Sequence, residues 1–233
     1  MLRFLLSTLV LLNFAFANEL KEQIHLLALE NHRPVKSYRI AREIVFQKIY
    51  LENKSNYFIE DVYCQKTFTR NIGPNNMPHH RMINIEHAWP RSQFRVPKGS
   101  KAYRIRLADL HALYPTDSRS NSIRSSHKFA NLTKGDEVKG CEKARFGRVL
   151  ISGELGFEPP HEIKGDIARS LFYFATRYKR NLSHDYEATL RDWHAKDPVD
   201  AFELSKHNQI KELQGNSNPF VEKPHLVESI KDF

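Results

Sequence analysis

The run Met82-Ile83-Asn84-Ile85 alternates apolar and polar side chains at a period of two, reaches Glu86-His87, and is followed at once by Ala88-Trp89-Pro90. Such alternation belongs to a strand with one buried face, and a proline a few residues on keeps it from continuing. The residues before it, Asn71 to His80, are dense in Asn, Gly and Pro and must form a loop. The chain therefore has to fold so that one short strand delivers a carboxylate and an imidazole to its own end.

The flanks read differently. Glu19 to Asn31 and Val35 to Glu52 carry apolar residues three and four apart, with Pro34 between them, which predicts two amphipathic helices. Tyr57 to Thr69 is rich in β-formers and predicts a strand or hairpin through Val62-Tyr63. Leu107, Leu110, Leu113 and Tyr114 suggest a helical turn that Pro115 interrupts, and Asp117 to Ser126 predicts a short helix or extended loop. Gly135 to Phe157 predicts loop and short strands. Asp166 to Tyr178 carries Ile167, Leu171, Phe174 and Tyr178 on one stripe and predicts a buried helix. Glu187 to Lys196 and Val199 to Leu213 predict two more, the second begun by Asp197-Pro198. Helices at both ends of a small strand-and-loop centre make the fold α+β, and 233 residues suit one domain.

Residues 1–17 begin with Arg3, run apolar from Phe4 to Phe16 and end Ala15-Phe16-Ala17. This is the pattern of a secretory signal peptide cleaved after Ala17, leaving 18–233 as the working domain. The run falls short of the roughly 20 apolar residues that span a bilayer, so no stable membrane anchor is expected after cleavage. The destination is periplasmic or secreted. In such an oxidising compartment Cys64 and Cys141 are expected to form one disulfide, whose restriction of the unfolded chain stabilises by roughly 4 kcal/mol.

The formal charge of +9 favours polyanionic partners, nucleic acid first and anionic membrane or glycan second. Against that background Glu86, His87 and Asn121 form a chemically coherent set. Hydrolysis of a phosphodiester needs an activated water and neutralisation of charge on the phosphoryl and leaving oxygens. Glu86 and Asn121 are hard oxygen donors suited to Mg²⁺, with Mn²⁺ or Ca²⁺ as alternatives, and His87 is left free to act as base. Adjacent strand residues point to opposite faces, so Glu86 and His87 can share a pocket only if the strand bends or ends there. Each also has an ordinary structural use: a surface carboxylate, a hydrogen-bonded core histidine, a helix cap. Arg119 and Arg124, beside Asn121, are candidate phosphate contacts. His111 is expected to be structural, His79 and His80 exposed, and Trp89, Phe94 and Trp193 core.

Several segments in order resemble the bacterial endonuclease I family. They are Val62-Tyr63-Cys64; Ile85-Glu86-His87 with Pro90 and Gln93-Phe94; Asp109-Leu110-His111-Ala112-Leu113 with Pro115, Asn121 and Arg124; Lys164-Gly165-Asp166-Ile167-Ala168-Arg169; Asp197-Pro198-Val199-Asp200; and Gln214 to Phe220. The resemblance covers most of the chain after residue 17. It implies a mainly helical domain around a small ββα-metal finger, Glu86 and Asn121 as metal ligands, and His87 as the base. It further implies an exported, sequence-nonspecific nuclease acting as a monomer on DNA, with RNA as second candidate, and 5′-phosphate products. The family also uses an arginine between the two motif segments; Arg95, Arg104 and Arg106 compete for that role, with Arg106 placed first. Cysteines are fewer here than is usual in the family. The competing reading from another class is an exported protein that holds nucleic acid without cutting it. A zinc hydrolase ranks last, since no HExxH spacing occurs.

Overall fold

The computed structural model describes residues 19–149 and 152–233. The expected signal peptide lies outside them. Among the described residues no helix is long and apolar enough to cross a membrane.

The chain opens with helical residues 19–29 (α1). Helix α2, Tyr38–Ile44, starts where Ser37 Oγ accepts the Ile40 N–H at 3.3 Å, and it widens into a π-helical turn, Val45–Ile49, that buries Val45, Phe46 and Ile49. Strands β1 (Glu52–Asn53), β2 (Tyr57–Glu60) and β3 (Thr67–Phe68) form a small antiparallel sheet. Val62-Tyr63, expected within a strand, instead lies in the β2–β3 turn. Asp61 ties that turn down by accepting the N–H groups of Tyr63, Cys64 and Lys66 at 3.1, 2.9 and 3.0 Å.

Strand β4 (Ile83–His87) pairs antiparallel with β5 (Leu113–Asp117), with Ile85 opposite Pro115 and His87 opposite Leu113. Pro115 does not break regular structure as expected but sits inside β5. Its carbonyl accepts the Val62 N–H at 3.0 Å, so the polar side of that residue faces away from β4 and no ladder bond needs the missing N–H. Between the two strands lie α3 (Lys101–Leu107), capped by Ser100, and a 3₁₀ turn, Leu110–Ala112, capped by Asp109. Directly after β5 comes α4 (Ser118–Arg124), whose first turn is capped by Asp117 Oδ1 at 3.0 Å from both Arg119 N–H and Ser120 N–H. Strand, strand and helix thus form one ββα unit.

A four-stranded sheet follows, in the order β6 (Lys128–Phe129), β9 (Leu155–Glu158), β8 (Cys141–Arg148), β7 (Asp136–Val138). The Cys64–Cys141 disulfide joins it to the Asp61 turn. Helices α5 (Lys164–Arg177), α6 (His184–Lys196), α7 (Ala201–Gln214), α8 (Pro219–Glu222) and α9 (Leu226–Ser229) complete the chain. As its apolar stripe predicts, α5 is buried along nearly its whole length. The ring of Phe174 stacks on Trp89 at 5.0 Å and on Phe94 at 5.6 Å, fastening the segment just after β4 to the core. Gly165 can only be glycine, because a Cβ there would lie 2.0 Å from the Asp197 carbonyl oxygen. Trp89, Phe94 and Trp193 are all core residues.

Candidate active site

Strand β4 ends at His87, and that ending answers the objection that neighbouring strand residues diverge. The Glu86 and His87 side chains leave opposite faces of the sheet, yet both line one open cleft of 1140 Å³. Asn121 lines it too, from the first turns of α4.

Asn121 is set in place by the strand edge. The backbone polar groups of Ile85 face away from β5, and they are met by side chains: its N–H donates to Asn84 Oδ1 at 2.8 Å, and its carbonyl accepts Asn121 Nδ2 at 3.1 Å. The amide nitrogen being spent on Ile85, Asn121 Oδ1 is the end left to bind a ligand.

Arg124, one turn further along α4, is 1% exposed. Its Nη1 donates to Glu86 Oε1 at 2.5 Å and to the His87 carbonyl at 3.1 Å; its Nη2 donates to the Ala88 carbonyl at 2.8 Å. The guanidinium also lies 4.2 Å from the centre of the Phe129 ring. It therefore acts as counter-ion and backbone staple in the wall of the cleft, with its Nη donors engaged by Glu86, His87 and Ala88. Burial is the largest influence on the Glu86 carboxyl and raises its pKa, and Arg124 only partly offsets this. A buried carboxylate left short of compensation in an open cleft is a good place for a cation.

His87 is held on three sides. Its Nε2 lies 3.0 Å from the Leu107 carbonyl oxygen, which can only accept, so Nε2 carries the proton and the lone pair sits on Nδ1. Tyr38 and Phe94 pack against the ring at centroid distances of 5.3 and 6.1 Å. Burial, aided by the positive charges of Arg91 and Arg124, brings its pKa down to about 4, so at neutral pH the imidazole is unprotonated and able to accept.

The donor set of Glu86 and Asn121 fits a hard divalent ion, since Mg²⁺ keeps several waters and needs only one or two protein oxygens. Among the described residues no group of three or more His, Cys, Asp or Glu could hold a metal ion, so no donor set of the zinc-enzyme kind is assembled.

The arginines fall differently from expectation. Arg106 does not line the cleft: its Nη1 donates to the Ala102 carbonyl at 3.2 Å and its guanidinium covers the Tyr178 ring at 4.6 Å. Arg104 donates to the Gly99 carbonyl at 2.6 Å and is also outside. Of the three competitors only Arg95 lines the cleft, held in the left-handed backbone region with φ 49°. Arg119 is exposed and not among the lining residues. Three cations not singled out in the sequence, Arg42, Arg91 and Lys98, join Arg95 on the walls. Arg91 follows Pro90 directly, and Tyr38 and Arg42 are four apart on one face of α2, a spacing that could have paired them. His79 and His80 are exposed as expected, and His80 reaches the rim. His111 is structural, its Nε2 lying 3.0 Å from the Asn216 carbonyl oxygen.

The chain matches the endonuclease I family over residues 17–225. It is 29% identical over 189 residues to an extracellular ribonuclease of Bacillus subtilis (strain 168), covering 72% of this chain and 60% of that protein. An extracellular ribonuclease of Bacillus amyloliquefaciens is 32% identical over 167 residues, 63% of this chain and 53% of that protein. A periplasmic deoxyribonuclease of Aeromonas hydrophila is 28% identical over 117 residues, 49% of this chain and 47% of that protein. The matched region thus spans about half the length of these relatives. With a family match running from before α1 to the end of α8, and a ββα unit at its centre, this chain belongs to the endonuclease I family.

Proposed function

We propose that the protein is an exported, metal-dependent endonuclease that hydrolyses phosphodiester linkages with little sequence preference. The observation that carries this reading is the meeting of Glu86, His87 and Asn121 in one cation-walled cleft, with the His87 proton committed to Leu107. Glu86 and Asn121 would hold the divalent ion, Mg²⁺ being the first choice. When bound it would supply charge neutralisation on the phosphoryl and departing oxygens.

The rest falls to the chain itself. Nδ1 of His87 takes the proton from the attacking water, and the ring keeps its orientation because Nε2–H stays on Leu107 while Tyr38 and Phe94 limit its rotation. Arg91 and Arg95 draw the backbone phosphate into the cleft and take over the role first given to Arg106. The products carry the phosphate at the 5′ end. Relatives named as deoxyribonuclease and as ribonuclease support DNA and RNA alike as substrates. Export is supported by residues 1–17, by the disulfide, and by the extracellular and periplasmic names of those relatives. The protein acts as a monomer.

Plasmid nicking tests this. With Mg²⁺ the wild type converts supercoiled DNA, and EDTA stops it. His87→Ala keeps DNA binding but loses at least about a hundredfold in rate. Near-wild-type turnover by that variant would refute the assignment, and intact plasmid with wild type under Mg²⁺ would favour a binding protein.

A further inference from the structure

A second, smaller cavity of 210 Å³ adjoins the cleft. Pro90, Arg124 and Ser126 line both, so the two spaces share a wall. Its volume is several times the roughly 30 Å³ that a water occupies. It is also below the roughly 300 Å³ at which pockets for whole drug-sized ligands begin. A single heterocyclic ring system is the size that fits.

The lining matches such a ring in chemistry. His127 and Tyr186 supply half-buried aromatic surfaces beside the buried Trp89, and Gln93 and Asn181 supply amides, each able to donate and accept. Gln93 and Asn181 are exposed, so the cavity is open to solvent and is not a dry packing void. Lys128 Nζ stands 5.9 Å from the centre of the Tyr186 ring and adds positive charge at the rim.

We infer that this cavity is a nucleobase subsite, taking the purine or pyrimidine of a nucleotide next to the linkage that is cut. The inference rests on the nuclease reading and deepens it. A base held there stacks on aromatic rings, which every base can do, and meets amides that favour some base edges over others. Cleavage is then tolerant of sequence but biased by the neighbouring base, and linkages without that base are held less well.

The test uses end-labelled single-stranded DNA and the same strand with one abasic position, cut under Mg²⁺ by wild type, Asn181→Ala and His127→Ala. Wild type should cut the linkages flanking the abasic position at least about fivefold more slowly than their base-bearing counterparts, with the loss in KM rather than kcat. Both variants should shrink that difference and even out the ladder. Asn181 is exposed, so that variant folds even if His127→Ala does not. Equal cleavage beside the abasic position by wild type, or ladders unchanged in Asn181→Ala, would overturn the subsite. Failure of wild type to cut at any linkage would remove the nuclease reading, and the subsite with it; on the same gel that result is distinct from uniform cutting.

Discussion

Two carboxylates of this protein are fully buried beside an arginine, and they are treated in opposite ways. Asp109 lies opposite Arg177, 3.5 Å from its Nε, and accepts from Tyr178 Oη at 2.6 Å, Gln214 Nε2 at 2.8 Å, Tyr173 Oη at 2.9 Å and the His111 N–H at 3.3 Å. Burial works to raise its pKa, but Arg177 and these donors outweigh it and the carboxyl stays below its ordinary value. Glu86 has Arg124, with Tyr63, Arg91 and the His87 N–H as lesser help, and burial wins. The first centre is electrostatically closed and locks the Asp109–Leu113 turn to the C-terminal helices; the second is left incomplete at the wall of a cleft. Completeness of hydrogen bonding separates a structural buried charge from one proposed to hold a ligand.

The contrast can be broken most forcefully at Asp109. Asp109→Asn places an amide among donors and leaves Arg177 without its counter-ion, so a loss of about 3–5 kcal/mol in urea unfolding is expected, with turnover per folded molecule retained. Glu86→Gln should do the reverse. It costs about 1–3 kcal/mol, since Arg124 keeps an acceptor and two carbonyls, but Mg²⁺-dependent nicking falls by at least about a hundredfold. Equal stability losses with nicking kept in Glu86→Gln would dissolve the distinction.

Added metal sharpens it. At about a hundred times its dissociation constant, Mg²⁺ should stabilise wild type and Asp109→Asn by about 2.7 kcal/mol and leave Glu86→Gln unmoved, as read from unfolding midpoints. Acid gives the two carboxylates opposite signs. Asp109, depressed in the folded state, contributes stability that is whole above the unfolded value near 3.9 and is lost as pH falls through its lower folded value. Glu86, raised in the folded state, contributes stability below the unfolded value near 4.3 and loses it as pH rises through its higher folded value. Without metal, Asp109→Asn should flatten the fall in stability below about pH 4, and Glu86→Gln should remove the opposing loss that sets in above about pH 4.3. The smallest effect belongs to Arg106→Ala, with nicking changed by less than about twofold, against a larger loss for Arg91→Ala or Arg95→Ala.

What could be read in advance follows the same physical division. The β4 strand and its terminal pair were legible because period-two alternation ends at a proline, and α5 because its stripe has the helical period. Helix α3 was missed because Lys101–Leu107 is short and fully buries none of its residues, touching the core only through the half-buried Tyr103 and Leu107. Pro115 misled because a proline's cost depends on which side of the strand lacks a partner, a matter of register. The arginines were the least legible. Where a long side chain ends is decided by distant neighbours: Tyr178 for Arg106, and the Glu86–Ala88 backbone and carboxylate for Arg124.

Asn121 spends one end of its amide on the Ile85 carbonyl and keeps the other for the cleft. An aspartate in its place would be the stronger partner for the proposed divalent ion but has no hydrogen to give the strand. The choice of a neutral over an anionic residue at this position is therefore made by the architecture of the sheet edge, and any redesign toward tighter ion affinity must first find that carbonyl another donor.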